Sequence, residues 1–107
     1  MIEKFRGDTF IFSFEFKDSN FFDLGDTVRF GIKKTLCQPN YEAYAEKEVD
    51  ETAKSIEIQI ESELTEKLVP GIYFMELELI KNGVVSTIYQ DNFFVNGDVV
   101  NERQNPN

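Results

Sequence analysis

The chain has 107 residues and a formal net charge of −9, with 20 acidic and 11 basic residues, one cysteine and no histidine. This length supports a single core, so we predict one domain over residues 1–100 and a polar, disordered tail from Asn101 to Asn107. An acidic surface repels phosphate backbones and anionic lipids, which argues against nucleic acids and membranes as partners. The first residues lack the apolar run of a signal peptide, so we expect synthesis in the cytoplasm.

Alternating apolar residues predict strands in the first half of the chain. The strongest signal runs from Thr9 to Phe16, where phenylalanine occupies every second position and four rings therefore share one face. Further strands are predicted over Thr27 to Lys34, Tyr41 to Val49 and Ser55 to Ile60. The strand over Tyr41 to Val49 alternates small or aromatic residues with acidic ones, a pattern typical of a solvated or edge strand.

A change of period marks a corner between the predicted sheets. Leu64 and Leu68 are four residues apart and would share one face of a short helical turn, which Ser62 could cap. Pro70-Gly71 ends this turn. We therefore predict a corner connection that crosses from one sheet to the other.

A long hairpin is predicted in the second half of the chain. Its arms are Ile72 to Ile80 and Val84 to Tyr89, joined by Asn82-Gly83, a dipeptide that favours a type I′ turn. After a kink, the returning arm is predicted to resume over Asn92 to Val95. Asn96-Gly97 marks a further turn before Val99-Val100.

Six to seven short strands and one helical turn predict an all-β fold. No predicted helix is long enough to cover a sheet, so two antiparallel sheets must cover each other as a β-sandwich. The predicted core combines the inward strand positions with the corner leucines: Phe10, Phe12, Phe14, Phe16, Val28, Phe30, Ile32, Ile56, Ile58, Leu64, Leu68, Tyr73, Met75, Leu77 and Leu79.

The composition offers little catalytic chemistry. The absence of histidine removes the usual general base and the Ser/His/Asp and Cys/His systems, so we expect neither enzyme activity nor a cofactor. Carboxylates alone can hydrolyse glycosides, but 20 acidic residues in a short chain guarantee chance pairs, and a solvated surface is the better interpretation. Asp23, Asp26 and Asp98 are loop residues that could bind calcium, yet their spacing matches no calcium loop, and no metal site is predicted.

Two aromatic doublets suggest an interaction surface. Adjacent strand residues point to opposite faces, so one ring of each doublet leaves the core face and is either buried under a loop or presented to a partner. The outward positions 72 and 74 of the hairpin are also apolar. The candidate interface residues are Phe21, Phe22, Ile72, Phe74, Phe93 and Phe94.

Several segments resemble small tail and baseplate-associated proteins of phages from Gram-positive hosts, in particular the N-terminal domain of lactococcal baseplate upper proteins. The resembling segments are Arg6-Gly7-Asp8-Thr9-Phe10 before the phenylalanine strand, Asp23-Leu24-Gly25-Asp26, the corner Pro70-Gly71-Ile72-Tyr73, and Phe94-Val95. The resemblance implies an immunoglobulin-like, non-catalytic building block of the virion. Its partners would be other phage structural proteins and, in a ring, further copies of the same chain.

One alternative remains open at this point, a carbohydrate-binding module that recognises the host cell wall. Such modules stack sugars on exposed aromatic rings. Tryptophan is absent, and Tyr73 belongs to the predicted core. The platform would then consist of Tyr41, Tyr44 and Tyr89.

Overall fold

A computed structural model of the chain describes residues 2–17 and 21–97. Within these ranges seven strands and one short helix follow in this order: β1 (Ile2–Phe5), β2 (Phe10–Glu15), β3 (Thr27–Lys33), β4 (Ala43–Glu48), β5 (Ser55–Ile60), α1 (Ser62–Thr65), β6 (Gly71–Lys81) and β7 (Val84–Asn96). Val99-Val100 and the predicted tail from Asn101 to Asn107 lie outside the described residues.

The strands form two sheets that pack face to face. One sheet has five strands in the order β1-β7-β6-β3-β4, and the other pairs β2 with β5. The predicted all-β, sandwich-like fold is therefore confirmed. The pairing differs from the expected antiparallel pattern at one place, where β1 runs parallel to β7. Sequence reasoning missed β1 because the four residues Ile2–Phe5 are too few to display a clear alternation.

The long hairpin is more regular than predicted. Strand β7 runs without a break from Val84 to Asn96, opposite β6. The irregularity is a bulge, because Leu77 pairs with Tyr89 and the next residue of β6 already pairs with Thr87. Ile88 is therefore the extra residue of β7 and bends the strand without ending it.

Aromatic rings from three strands meet in the core between the sheets. Phe12 of β2 lies 4.6 Å from Phe30 of β3 and 5.6 Å from Phe93 of β7, measured between ring centroids. Most predicted core residues are buried, but Phe14 and Leu64 are only partly covered, as is the predicted core residue at position 16. The prediction also omitted six apolar residues that are buried: Phe22, Ala43, Val49, Ile60, Phe93 and Val95.

The corner between the sheets is fixed by two side-chain hydroxyl groups. Thr65, the last residue of α1, is fully buried and its Oγ1 donates a 2.6 Å hydrogen bond to the carbonyl of Asp8. Tyr73 donates a 2.6 Å hydrogen bond from its hydroxyl to the carbonyl of Val69. The predicted cap at Ser62 is wrong. Ser62 is the first residue of α1, the N-cap position belongs to Glu61, and no side chain makes a capping hydrogen bond. No helix in the described ranges is long and apolar enough to cross a membrane.

Candidate functional site

The five-stranded sheet has an outer face that points away from β2 and β5. On β6 the inward positions include Tyr73, Met75 and Leu77, which are buried in the core. Successive strand residues point to opposite faces, so Ile72, Phe74, Glu76, Glu78 and Ile80 lie on the outer face. This face is densely charged in its centre, and its larger apolar region lies at the end that contains Ile72 and Phe74.

The apolar end of the outer face spans four segments of the chain. Ile72 of β6 and Phe94 of β7 are register partners, and Phe74 lies one pair further along the same face. Leu36, from the loop after β3, borders a shallow depression together with Phe74. Phe5 of β1 is exposed and points to the same side, because Glu3 pairs with Phe94. We call the set Phe5, Leu36, Ile72, Phe74 and Phe94 the outer apolar strip.

Of the six predicted interface residues, three lie in the outer apolar strip, two are buried, and Phe21 packs elsewhere. Ile72, Phe74 and Phe94 come together in the outer apolar strip. Phe22 and Phe93 are 2% and 0% exposed, so their assignment to an interface is wrong.

Each of the two buried rings has a packing reason. Phe93 is on the inner side of β7 because its register partner is the buried Tyr73. Phe22 packs edge-on against Phe16 at 5.0 Å between centroids. Phe21 stacks on the same Phe16 at 5.0 Å and lies away from the strip. Sequence reasoning missed Phe5 and Leu36, because Phe5 lies in a strand too short to display alternation and Leu36 lies in a loop.

A charged network occupies the centre of the outer face. Glu78 of β6 accepts a 2.9 Å ion-pair hydrogen bond from Arg29 Nε and a 2.8 Å hydrogen bond from the Tyr41 hydroxyl. The hydrogen bond that Arg29 donates to Glu78 raises the pKa of Arg29. Burial, and next the bond to Glu78, raise the pKa of Tyr41, so the hydroxyl is a neutral donor. The ring of Tyr41 lies directly over Gly31 of β3.

Glu76 is the most buried member of this network. Its carboxylate accepts a 2.9 Å hydrogen bond from Gln90 Nε2 and lies 3.4 Å from Lys33 Nζ and 3.4 Å from the Tyr41 hydroxyl. Strand alternation predicts that Glu76 points away from the core, which is correct, but its neighbours cover it. Two cations, Arg29 and Lys33, balance two carboxylates, so the partly buried charges are compensated.

Two of the three tyrosines of the predicted sugar platform are neighbours. The rings of Tyr41 and Tyr44 are 6.1 Å apart at an interplanar angle of 36°, and Tyr44 is 54% exposed. They border a groove of about 440 Å³ that Asn40 and Glu46 also line. Tyr89 belongs elsewhere, since its ring contacts Phe14 at 5.3 Å near the open edge of β2. The three-residue platform is therefore wrong, and a two-residue one remains.

Two of the three aspartates weighed as calcium ligands, Asp23 and Asp26, contact a lysine. Asp26 is 3% exposed and accepts a 2.8 Å hydrogen bond from the backbone N–H of Asp23. Lys81 Nζ lies 2.6 Å from Asp23 Oδ2 and 2.8 Å from Asp26 Oδ2. The Asp23 amide and then Lys81 hold the pKa of Asp26 below its ordinary value. Asp98 lies outside the described residues, and within the described ranges no three acidic, cysteine or histidine side chains are grouped as a metal site.

Comparison with known proteins adds no identification. No protein-family model matches the chain, and no curated protein matches its sequence. The outer apolar strip and the charged network beside it are therefore the features from which we infer a function.

Proposed function

We propose that the protein is a non-catalytic structural or adaptor component of a bacteriophage or prophage tail or baseplate. It docks onto neighbouring tail proteins through the outer apolar strip. The strip is the observation that carries this proposal, because contiguous exposed apolar patches mark protein–protein contacts. Its five side chains come from three strands and a loop of one sheet face, and Ile72 at its centre is 49% exposed.

The finer fold assignment within this proposal is an immunoglobulin-like sandwich. In variable-type immunoglobulin domains one sheet contains strands G, F, C and C′, and strands B and E belong to the other. The orders β7-β6-β3-β4 and β2-β5 fit that arrangement. The hydrogen bond from the Tyr73 hydroxyl to the Val69 carbonyl matches the tyrosine corner of such domains. The sequence resemblance to baseplate proteins adds support for the phage assignment.

The charged network gives the strip a defined border. Buried, mutually paired charges require one geometry, so a partner must match the apolar strip and the neighbouring charges together. The net charge of −9 further favours partners whose contact surface is neutral or basic.

The proposal is tested on phage particles that carry variants of this chain. Ile72 and Val85 are both on the outer face and are 49% and 48% exposed. Ile72 pairs with Phe94 at one end of the hairpin, whereas Val85 pairs with Ile80 at the other end. We expect I72K to reduce the amount of this chain in purified particles, measured by quantitative mass spectrometry, and V85K to leave it unchanged. Absence of the wild-type chain from intact particles would refute the phage assignment. Equal incorporation of both variants would refute docking through the strip.

A second candidate function is recognition of cell-wall glycans by Tyr41 and Tyr44. The observation that favours it is the groove between polar side chains and the exposed ring of Tyr44. Y44A should then abolish binding to purified host wall polysaccharide while the variant still enters particles. Y89A, which alters a tyrosine outside the groove, should bind as the wild type does. Unchanged binding by Y44A would exclude this function.

A further inference from the structure

Strand β2 has one edge that no described strand covers. Its pairing partner is β5 on one side, and among the described residues the second sheet contains these two strands alone. The other side of β2 faces the edge of the five-stranded sheet, where Lys4 of β1 donates a 3.0 Å hydrogen bond from Nζ to the carbonyl of Ile11. An uncovered strand edge is a template for pairing with another chain.

The ladder geometry identifies the free backbone groups. The backbone N–H of Phe16 donates to the carbonyl of Lys54 at 2.7 Å, so position 16 faces β5. Alternate residues of an antiparallel strand direct their N–H and C=O groups to opposite sides. Ile11, Ser13 and Glu15 therefore direct these groups to the uncovered edge. The Ile11 carbonyl already accepts a hydrogen bond from Lys4. The backbone N–H and C=O groups of Ser13 and Glu15 are therefore the ones with which a new strand would pair.

A groove of about 470 Å³ runs along this edge. Its floor is apolar and includes Phe12, Met75 and Leu77, which are otherwise core residues, together with the partly buried Phe14 and Ile88. An extended peptide beside β2 would alternate its side chains, so that every second one would enter the groove. The free edge and the apolar groove thus suit the same ligand.

We propose that an extended, basic segment of a partner protein adds a strand to the uncovered edge of β2. The segment pairs with Ser13 and Glu15 and inserts alternating apolar side chains into the groove, as in other cases of strand addition. Charge favours the basic segment through the net charge of −9, since the two charged side chains that line the groove, Lys4 and Glu15, balance each other. A second copy of the same chain would bring another −9 to the contact. The inference does not depend on the phage assignment or on the outer apolar strip, which lies on a different face.

The probes are synthetic heptapeptides with valine at alternating positions and lysine between them. A matched peptide carries N-methyl groups on the amides that would face β2, which removes its ladder donors and leaves its side chains unchanged. The protein variant is S13P, which removes one edge N–H that points away from β5 and is therefore compatible with an edge strand. Binding is followed by amide chemical shifts, with circular dichroism as the check that S13P remains folded.

We expect the unmodified peptide to shift the amide signals of Ser13 and Glu15 and to protect them from hydrogen exchange. Binding should be about tenfold weaker to S13P, the effect of one lost hydrogen bond, and undetectable for the N-methylated peptide. Equal binding of both peptides to the wild type would overturn the proposal even if S13P failed to fold. Shifts confined to another face, or no binding, would overturn it as well. A wild-type dimer in sedimentation experiments that S13P dissociates would assign the edge to a second copy instead.

Discussion

The ring of Tyr41 occupies the space above Gly31 in which the β-carbon of any other residue would lie. The Tyr41 hydroxyl donates a 2.8 Å hydrogen bond to Glu78 of β6, the strand that pairs with β3 on the side opposite β4. A glycine in the middle of a strand weakens the strand, because it lacks a side chain to pack. Here an aromatic ring from the loop before β4 replaces the missing side chain and anchors the charged network of the outer face.

Replacement of Gly31 by alanine should displace this ring. The new methyl group overlaps the ring carbons of Tyr41, so the hydrogen bond to Glu78 is lost and the free energy of unfolding falls by about 1–3 kcal/mol. In a Y41A background the same substitution removes no contact and should be neutral or stabilising. Urea denaturation of the four proteins in this cycle measures the coupling, and additive effects would contradict the packing of Tyr41 on Gly31.

The sequence predicts features of this fold that depend on local patterns, such as the buried face of β2, but not features that depend on strand register, such as the position of Tyr41. The face of β2 was predictable, because alternation is a local property and four phenylalanines at every second position leave one solution. The position of Tyr41 was not, because it depends on the register between β3 and β4, which brings Tyr44 opposite Gly31. The parallel pairing of β1 with β7 likewise joins the two ends of the described chain and has no local signal.

The same distinction applies to the candidate site. Alternation places Ile72 and Phe74 on the outer face, so the sequence identified these two residues of the strip directly, whereas Phe94 was named only together with its neighbour Phe93. The sequence could not predict whether Phe93 or Phe94 is the buried ring, because adjacent strand residues point to opposite faces in either case. The register with Tyr73 decides which ring is buried.

The tyrosine at the corner should stabilise the fold measurably. Tyr73 is buried and its hydroxyl donates a 2.6 Å hydrogen bond to the Val69 carbonyl, so Y73F should lower the free energy of unfolding by about 1 kcal/mol. Y89F is the matched control, because its hydroxyl donates to Asp91 on an exposed part of β7, and we expect a change below about 0.5 kcal/mol. Urea denaturation compares the two variants. Equal effects would show that the corner bond has no special role.

Acid should weaken the fold through Asp26. The folded state holds the pKa of Asp26 below its ordinary value of 3.8, mainly through the Asp23 amide and then Lys81. A depressed pKa stabilises the fold fully above pH 3.8, and this contribution is lost as the pH falls below 3.8 through the folded-state pKa. D26N keeps the shape and removes the charge. We expect it to cost about 1.5–3 kcal/mol at neutral pH, the range for hydrogen bonds to charged groups.

The measurement for Asp26 is denaturation over a series of pH values. The difference in stability between wild type and D26N should shrink as the pH falls below 3.8. D50N is the control, because the pKa of Asp50 is also lowered, by bonds from Thr52, but Asp50 is exposed. Its stability profile should stay close to that of the wild type. A constant difference between D26N and wild type at all pH values would contradict the assignment.

The doublet Phe93-Phe94 offers the sharpest separation of stability from docking. Phe93 is fully buried and lies 6.2 Å from the ring of Phe10 and 6.2 Å from that of Tyr73, so F93A should lower the free energy of unfolding by about 3–5 kcal/mol. Phe94 is only half-buried on the outer apolar strip, and F94A should cost about 1 kcal/mol or less. F94A should nevertheless reduce incorporation into phage particles as I72K does, because it removes a ring from the same strip. A folded F94A protein with wild-type incorporation would remove Phe94 from the docking surface, and a small effect of F93A would contradict the register that buries it.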